Sequence, residues 1–266
     1  MNAKDLYTTG QLAEAVAAAA AAVKAHPADA PARMFLCELL CFAGDFERAD
    51  KQLDAIGHQD PGTALTVTTL RQVLRAEVAR QQCFNEGRVP EFLGPPSARL
   101  QMHLDALVRI RTNCPGEAAH LLQQAEQERP ALRVVANGKA VDDFRDLDDL
   151  TASFFEVLTT TGKYYWVPME QVDLVEFEPP RRPADLLWRP AHFIVRGGPD
   201  GRVFLPALYP GSHAEAGDGL RLGRLTEWHG GEGTPVRGAG LRTFLLGDED
   251  LDILQLKELK FTEADA

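Results

Sequence analysis

The stretch MFLCELLCFAGDFERADKQLDAI, residues 34–56, reads as two amphipathic helices that meet at Gly44. The first helix is the apolar run Met34–Phe42, and the second places apolar residues at helical spacing from Phe46 onward. Several residue types of this stretch also occur 34 positions away: Gly10 recurs as Gly44, Leu12 as Phe46, Ala15 as Ala49 and Pro27 as Pro61. The stretch is therefore one unit of a repeat.

A repeat of 34 residues is the tetratricopeptide period. Glycine suits the turn between two antiparallel helices, and a small alanine lets the helices of a pair approach closely. Proline ends the second helix because it cannot continue the backbone hydrogen bonding. A third unit is only partly recognisable: Leu65–Arg80 reads as its first helix, whereas Gly87, Pro90 and Gly94 interrupt the second and Cys83 replaces the expected alanine. Two more helices are predicted, at Ala98–Arg111 and Glu117–Glu128.

The pattern changes at Pro130, after which short apolar runs alternate with turn residues. Asn137-Gly138 predicts a β-hairpin, and Leu147–Leu158 is predicted to be a helix. Further strands are predicted at Tyr164–Val167, Val172–Phe177, His192–Val195, Val203–Leu208, Leu220–Trp228, Arg242–Leu246 and Leu254–Leu259. We therefore expect an α+β protein: tetratricopeptide-like helical hairpins in residues 1–130, then a mostly antiparallel β domain with one helix in residues 131–266.

Composition narrows the classes of partner. With 28 basic and 39 acidic residues the net charge is −11, which lacks the basic excess that binding to nucleic acid requires. The Ala-rich run Ala15–Val23 is far shorter than the roughly 20 residues of a membrane span, so we expect a cytoplasmic protein without membrane contact. The four cysteines form no Cys-x-x-Cys pair and are interpreted as packing residues.

The motifs that would indicate a catalytic or ligand-binding site are incomplete in this sequence. Gly162-Lys163 lacks the other residues of a phosphate-binding loop. The acidic stretch Asp142–Asp149 lacks the glycine and the ligand spacing of a calcium loop, and is interpreted as a solvated loop before a helix. The seven histidines are scattered without metal-ligand spacing. We therefore predict no catalytic, cofactor or metal site; the alternative is a small-molecule or nucleotide enzyme built on the β domain.

Several stretches resemble the ImpE/TagJ family, and together they extend from about Gly10 to Phe261. They are GDFERA at 44–49, DDFRDLDD at 142–149, TGKYYWVP at 161–168, PPRRP at 179–183, DLLW at 185–188, VFLPALY at 203–209 and GDED at 247–250. The resemblance implies an accessory protein of bacterial type VI secretion. Proteins of this family bind the N-terminal helix of the small sheath subunit, TssB, and are linked to the ClpV unfoldase that recycles contracted sheath.

A tetratricopeptide array binds partners on the concave face formed by the first helix of each pair. Aligning the units by their alanine and proline predicts that this face carries Lys4, Tyr7, Met34, Glu38, Cys41, Phe42, Gln72 and Arg75. In the alternative arrangement, Met34 and Phe42 are buried against the β domain and no groove is free. A second candidate surface is the strand with Tyr164, Tyr165 and Trp166, although burial of this strand on both faces is the favoured explanation for three consecutive aromatics.

Overall fold

The computed structural model describes residues 1–59 and 61–262. Its first part is helical, as the repeat predicts. The helices are α1 Ala3–Thr8, α2 Leu12–Ala25, α3 Ala30–Phe42, α4 Phe46–Gln59, α5 Ala64–Glu86, α6 Ala98–Arg111 and α7 Pro115–Gln127. We call α1–α7 the helical region. None of the helices within the described ranges is long and apolar enough to cross a membrane.

Local sequence explains where these helices begin and turn. The side chains of Asn2, Asp29 and Ser97 each accept a hydrogen bond from a backbone N–H in the first turn of α1, α3 and α6, respectively. The repeated glycines Gly10 and Gly44 both adopt positive φ, +83° and +74°, which L-residues rarely adopt. The repeat's turn between paired helices is therefore confirmed at both positions.

The remainder of the chain is mainly β-structure, with one short helix, α8, at Asp218–Arg221. The strands are β1 Val134–Ala136, β2 Lys139–Val141, β3 Phe144–Asp146, β4 Phe154–Thr159, β5 Tyr164–Pro168, β6 Val172–Phe177, β7 Trp188–Val195, β8 Asp200–Pro206, β9 Thr226–Gly231, β10 Thr234–Gly240, β11 Thr243–Leu246, β12 Glu249–Asp252 and β13 Glu258–Phe261. We call β1–β13 with their connections the sheet region.

The strands form a large sheet, a three-stranded sheet and a separate β9–β10 hairpin. The order in the large sheet is β2-β1-β13-β6-β7-β8-β4-β5, and in the small one β12-β11-β3. All pairings between these strands are antiparallel, as predicted. The predicted hairpin is also present: Asn137 and Gly138 have φ of +50° and +85°, which places Ala136 opposite Lys139.

The predicted helix at Leu147–Leu158 is wrong. A short 3-10 turn occupies Asp149–Thr151, and strand β4 begins at Phe154. Phe154 and Phe155 explain the difference because they enter the cores on opposite faces of the sheet, an alternation that only a strand provides. Aromatic and β-branched residues also favour strands.

Several other boundaries also differ from the prediction. Leu220–Trp228 is not one strand, since α8 ends at Arg221 and β9 starts at Thr226. The predicted strand Leu254–Leu259 overlaps only the beginning of β13, and β12 was not predicted. In the third repeat unit, α5 continues to Glu86 and therefore includes Cys83; it ends at Gly87, whose φ is +91°.

Two apolar cores lie on opposite faces of the large sheet. One contains residues of the helices together with Phe154, Trp166 and Trp188 from the sheet. The other joins the opposite sheet face to the three-stranded sheet, with Phe155, Phe244 and their neighbours. The molecule is thus layered, with the helices on one face of the large sheet and the small sheet on the other.

Candidate partner-binding surface

The first helices of the repeat units, α1, α3 and α5, carry all eight residues that were predicted to face a partner. The structure brings part of this set together: the ring centroid of Tyr7 lies 6.2 Å from that of Phe42. Phe42 and Cys41 are fully buried, however, and Glu38 is only 3% exposed. These three side chains are therefore not available to a partner in this conformation.

The chain's own sheet region covers the concave face. The backbone N–H of Ala184 donates to the Glu38 carboxylate, with 3.4 Å between nitrogen and oxygen. At the other end of the face, Arg224 donates to the carbonyl oxygens of Tyr7 and Thr8. The Asp218 carboxylate accepts a hydrogen bond of 2.8 Å from the N–H of Leu12. Phe42 lies beside Leu208 and Tyr209 of the sheet region, as the alternative arrangement predicted, whereas Met34 is only half-buried.

The other members of the predicted set keep some exposure. Lys4 and Arg75 are exposed, whereas Tyr7, Met34 and Gln72 are half-buried. Arg75 lines an open depression together with Gly162 of the β4–β5 turn, and Gln72 lies next to Gly162. The predicted residues are therefore divided between an occupied concave face and an accessible edge of it.

That depression is a groove between α4 and α5 of about 650 Å³. We call it the α4–α5 groove; its lining is Phe46, Glu47, Asp50, Lys51, Leu74, Arg75, Val78, Gln82, Arg88 and Gly162. Leu74 and Val78 supply an apolar floor, and Val78 is 36% exposed. Charged side chains surround this floor, and one of them, Asp50, accepts a hydrogen bond of 2.8 Å from Arg71. An apolar floor with a charged rim suits an amphipathic helix.

The second candidate surface is mostly buried. Trp166 stacks on Phe154 with ring centroids 4.1 Å apart, and Tyr164 donates its hydroxyl hydrogen to Glu156. Tyr165 points to the other face, as the alternation predicts, and lines a cavity of about 260 Å³ with Phe193. Tyr164 and Trp166 therefore act as core residues, and only Tyr165 retains an exposed edge.

A buried ionic network joins the helical region to the sheet region. Arg80 of α5 donates to both carboxylate oxygens of Glu156 on β4, at 2.8 and 3.0 Å. Arg242 donates to the same carboxylate and, at 2.6 Å, to Asp146. Burial opposes ionisation of Glu156, but the two guanidinium groups outweigh it and lower its pKa to about 2. For Asp146 burial prevails over Arg242 and raises the pKa to about 6.

The network corrects the interpretation of Asp142–Asp149 as a solvated loop. Asp146 and Asp148 are fully buried. Asp148 accepts hydrogen bonds from the Arg237 side chain and from the N–H of Gly238, both at 2.9 Å. The arginines that pair with these carboxylates, Arg242 and Arg237, are 96 and 89 positions away in the chain, so the local sequence does not indicate the burial. No group of three or more His, Cys, Asp or Glu in the described ranges is arranged to hold a metal ion.

The fold and surface define a class of protein: a helical-repeat protein whose own sheet region fills the concave face. Comparison with known proteins agrees. The tetratricopeptide repeat family matches residues 6–72, and the ImpE protein family matches residues 138–260. The type VI secretion system accessory component TagJ of Pseudomonas aeruginosa is 32% identical over all of this chain and 93% of its own length. The chain belongs to the ImpE/TagJ family.

A solved structure shows the same fold over nearly the whole chain. The crystal structure of protein VPA1032 from Vibrio parahaemolyticus matches with a TM-score of 0.91 at 28% sequence identity. The match covers 98% of each chain. The arrangement of helical and sheet regions described above is therefore shared with that protein.

Proposed function

We propose that the protein is a non-enzymatic accessory component of bacterial type VI secretion. The observation that carries this proposal is the relationship to TagJ, which extends over the entire chain at 32% identity. The tetratricopeptide-like helices support a role in protein–protein contact, since such arrays present binding surfaces.

The partner we propose is the N-terminal helix of the small sheath subunit, TssB. Through this contact the protein would influence assembly of the sheath or its recycling by ClpV. The α4–α5 groove supports the proposal because it offers an apolar floor at Leu74 and Val78 within a charged rim. Arg75 lines this groove and Gln72 lies next to it, so these two of the predicted residues would contact the helix.

Titration of a labelled peptide tests the proposal. The peptide carries the N-terminal helix of the small sheath subunit from the same bacterium, and its affinity is measured for the wild type and for Val78→Asp. A carboxylate placed on the apolar floor is expected to weaken binding at least tenfold, as loss of a central apolar contact costs about 2 kcal/mol or more.

Val108→Asp on α6 is the matched control. Val108 is also an exposed helical valine, with 41% exposure against 36% for Val78, but it does not line the groove. Its affinity for the peptide is expected to equal that of the wild type. Equal weakening by both variants would place the contact elsewhere, and absence of binding to the wild type would overturn the choice of partner.

A further inference from the structure

Arg189 on β7 is a buried arginine that lacks a charged partner. Its residue exposure is 2%, and its one hydrogen bond runs from Nη2 to the carbonyl oxygen of Leu256, at 3.2 Å. Nε and Nη1 are buried and have no partner within the described part of the chain. The guanidinium carbon lies 5.4 Å from the centroid of the Phe177 ring.

The other fully buried arginines have the anionic partner that Arg189 lacks. Arg80 and Arg242 each form ion pairs with buried carboxylates. Among the described residues no carboxylate bonds to Arg189, since its Nε and Nη1 have no partner and Nη2 donates to the carbonyl oxygen of Leu256. Two carboxylates further away, Asp185 and Asp252, still attract the charge of Arg189. Both already accept hydrogen bonds from the backbone: Asp185 from the N–H of Arg181, and Asp252 from the N–H of Leu254. A buried guanidinium without an anion is costly, so the site favours one from outside.

A cavity of about 580 Å³ lies next to this arginine and is open to solvent. Arg189 lines it together with apolar residues, among them Phe177, Pro179 and Pro180. At the rim stands Lys257, whose exposed ammonium group adds a second positive charge. The cavity has the size of a small-molecule site, and its lining combines apolar walls with the charged side chains of Arg189, Lys257, Glu176 and Glu258.

We propose that this cavity binds the carboxylate of a ligand with an apolar body. The planar guanidinium of Arg189 would donate to the carboxylate oxygens, and the apolar walls would cover the remainder of the ligand. Glu176 and Glu258 also line the cavity and would repel a phosphate or polyanion more strongly than a single carboxylate. The inference is independent of the function proposed above.

Nuclear magnetic resonance of the full chain, labelled with ¹⁵N at arginine, tests the proposal. Benzoate is the probe, and benzamide is its uncharged counterpart of similar shape. We expect a saturable shift of the Arg189 Nε–H signal with benzoate and none with benzamide. A short peptide that ends in phenylalanine, with a free or an amidated carboxyl terminus, distinguishes the two sources of such a carboxylate. Tighter binding of the free-acid peptide than of benzoate indicates that the ligand is a chain terminus. Tighter binding of benzoate indicates that the ligand is a small acid.

Two variants complete the experiment, and isothermal titration calorimetry measures their benzoate binding because Arg189→Met lacks the Arg189 Nε–H signal. Arg189→Met is expected to abolish benzoate binding without lowering the melting temperature, because removing an unpaired buried charge does not destabilise a well-packed site. Lys257→Gln changes only an exposed side chain and is expected to weaken binding several-fold, which keeps the test informative if Arg189→Met does not fold. Binding that is unchanged in both variants, or no saturable shift with any carboxylate, would overturn the proposal.

Discussion

Glu38 is a carboxylate enclosed between α3 and the segment that precedes β7. Burial raises its pKa to about 7, although Arg182 at 3.8 Å and the N–H of Ala184 act in the opposite direction. The folded protein therefore holds a proton at Glu38 at pH values where the unfolded chain has released it. Such a group links the contact between helical and sheet regions to pH.

This linkage predicts that the contribution of Glu38 to stability falls as pH rises. The contribution is fully present below the ordinary pKa of 4.5 and is lost by about pH 7, a change of about 3 kcal/mol. Urea unfolding of the wild type and Glu38→Gln at about pH 5 and about pH 8 measures it. We expect the variant to gain relative stability at the higher pH.

Comparing the wild type with Glu38→Gln removes the contributions of other titrating groups from the difference in free energy of unfolding. Burial lowers the pKa of His103 to about 4, so that its own contribution increases with pH between about 4 and 6.5. This effect is common to both proteins and cancels in their difference. A difference in free energy of unfolding between the wild type and Glu38→Gln that stays constant across the pH range would contradict the role assigned to Glu38.

Phe42 was predicted as a partner anchor, and the structure shows it as a core residue with 0% exposure. Phe42→Ala is therefore expected to lower the free energy of unfolding by about 3 to 5 kcal/mol. Leu65→Ala is the control: Leu65 is 81% exposed, so its loss should change the free energy by less than about 0.5 kcal/mol. Urea denaturation measures both, and equal stability of Phe42→Ala and wild type would show that Phe42 does not pack in the core.

At the scale of elements, α5 connects the two regions. One side of this helix carries Arg71, which pairs with Asp50 of α4 near the surface. Another side carries Glu77 and Arg80, which are buried against the sheet region. Glu77 accepts a hydrogen bond of 3.0 Å from the indole N–H of Trp188. A single helix thus makes exposed and buried ion pairs, which differ in their contribution to stability.

Two variants of α5 should separate these contributions. Arg80→Met leaves the buried Glu77 and Glu156 without a cationic partner on this helix and is expected to cost about 3 to 5 kcal/mol. Arg71→Met breaks only the exposed pair and should cost less than about 1 kcal/mol. Chemical denaturation of both proteins provides the measurement. Similar losses of stability in the two variants would mean that burial does not determine how much these ion pairs contribute to stability.

At the scale of the whole molecule, the helical and sheet regions share one apolar core. Helical residues such as Leu70 and Phe84 belong to the same cluster as Trp166 and Trp188 of the sheet. Together with the buried ionic network, this shared core means that neither region can unfold without exposing apolar surface of the other. The chain is therefore expected to unfold cooperatively.

Coincident unfolding of both regions is the resulting prediction. All three tryptophans, Trp166, Trp188 and Trp228, lie in the sheet region, so that their fluorescence reports on unfolding of that region and on its contact with the helices. Far-ultraviolet circular dichroism reports mainly on the helices. In urea, the two signals should give the same midpoint within error. Two separate midpoints would show that the regions are stable independently of each other.

The sequence alone was sufficient for features that depend on neighbouring residues. The glycine turns at Gly10 and Gly44, the hairpin at Asn137-Gly138 and the alternation of Tyr164, Tyr165 and Trp166 all follow from backbone preference and side-chain period. The helix predicted at Leu147–Leu158 failed because packing on both faces of the sheet, which a local pattern does not report, overrode the apparent helical period.

The tertiary structure alone decided which surfaces are free. The residues predicted to face a partner lie on α1, α3 and α5, but Glu38 and Phe42 are covered by residues more than 100 positions later in the chain. Burial of Asp146 beside Arg242 likewise depends on a long-range contact, between residues 96 positions apart. Repeat spacing specifies how a helix packs on its neighbour, whereas coverage of a face depends on long-range packing between the regions, which no local period encodes.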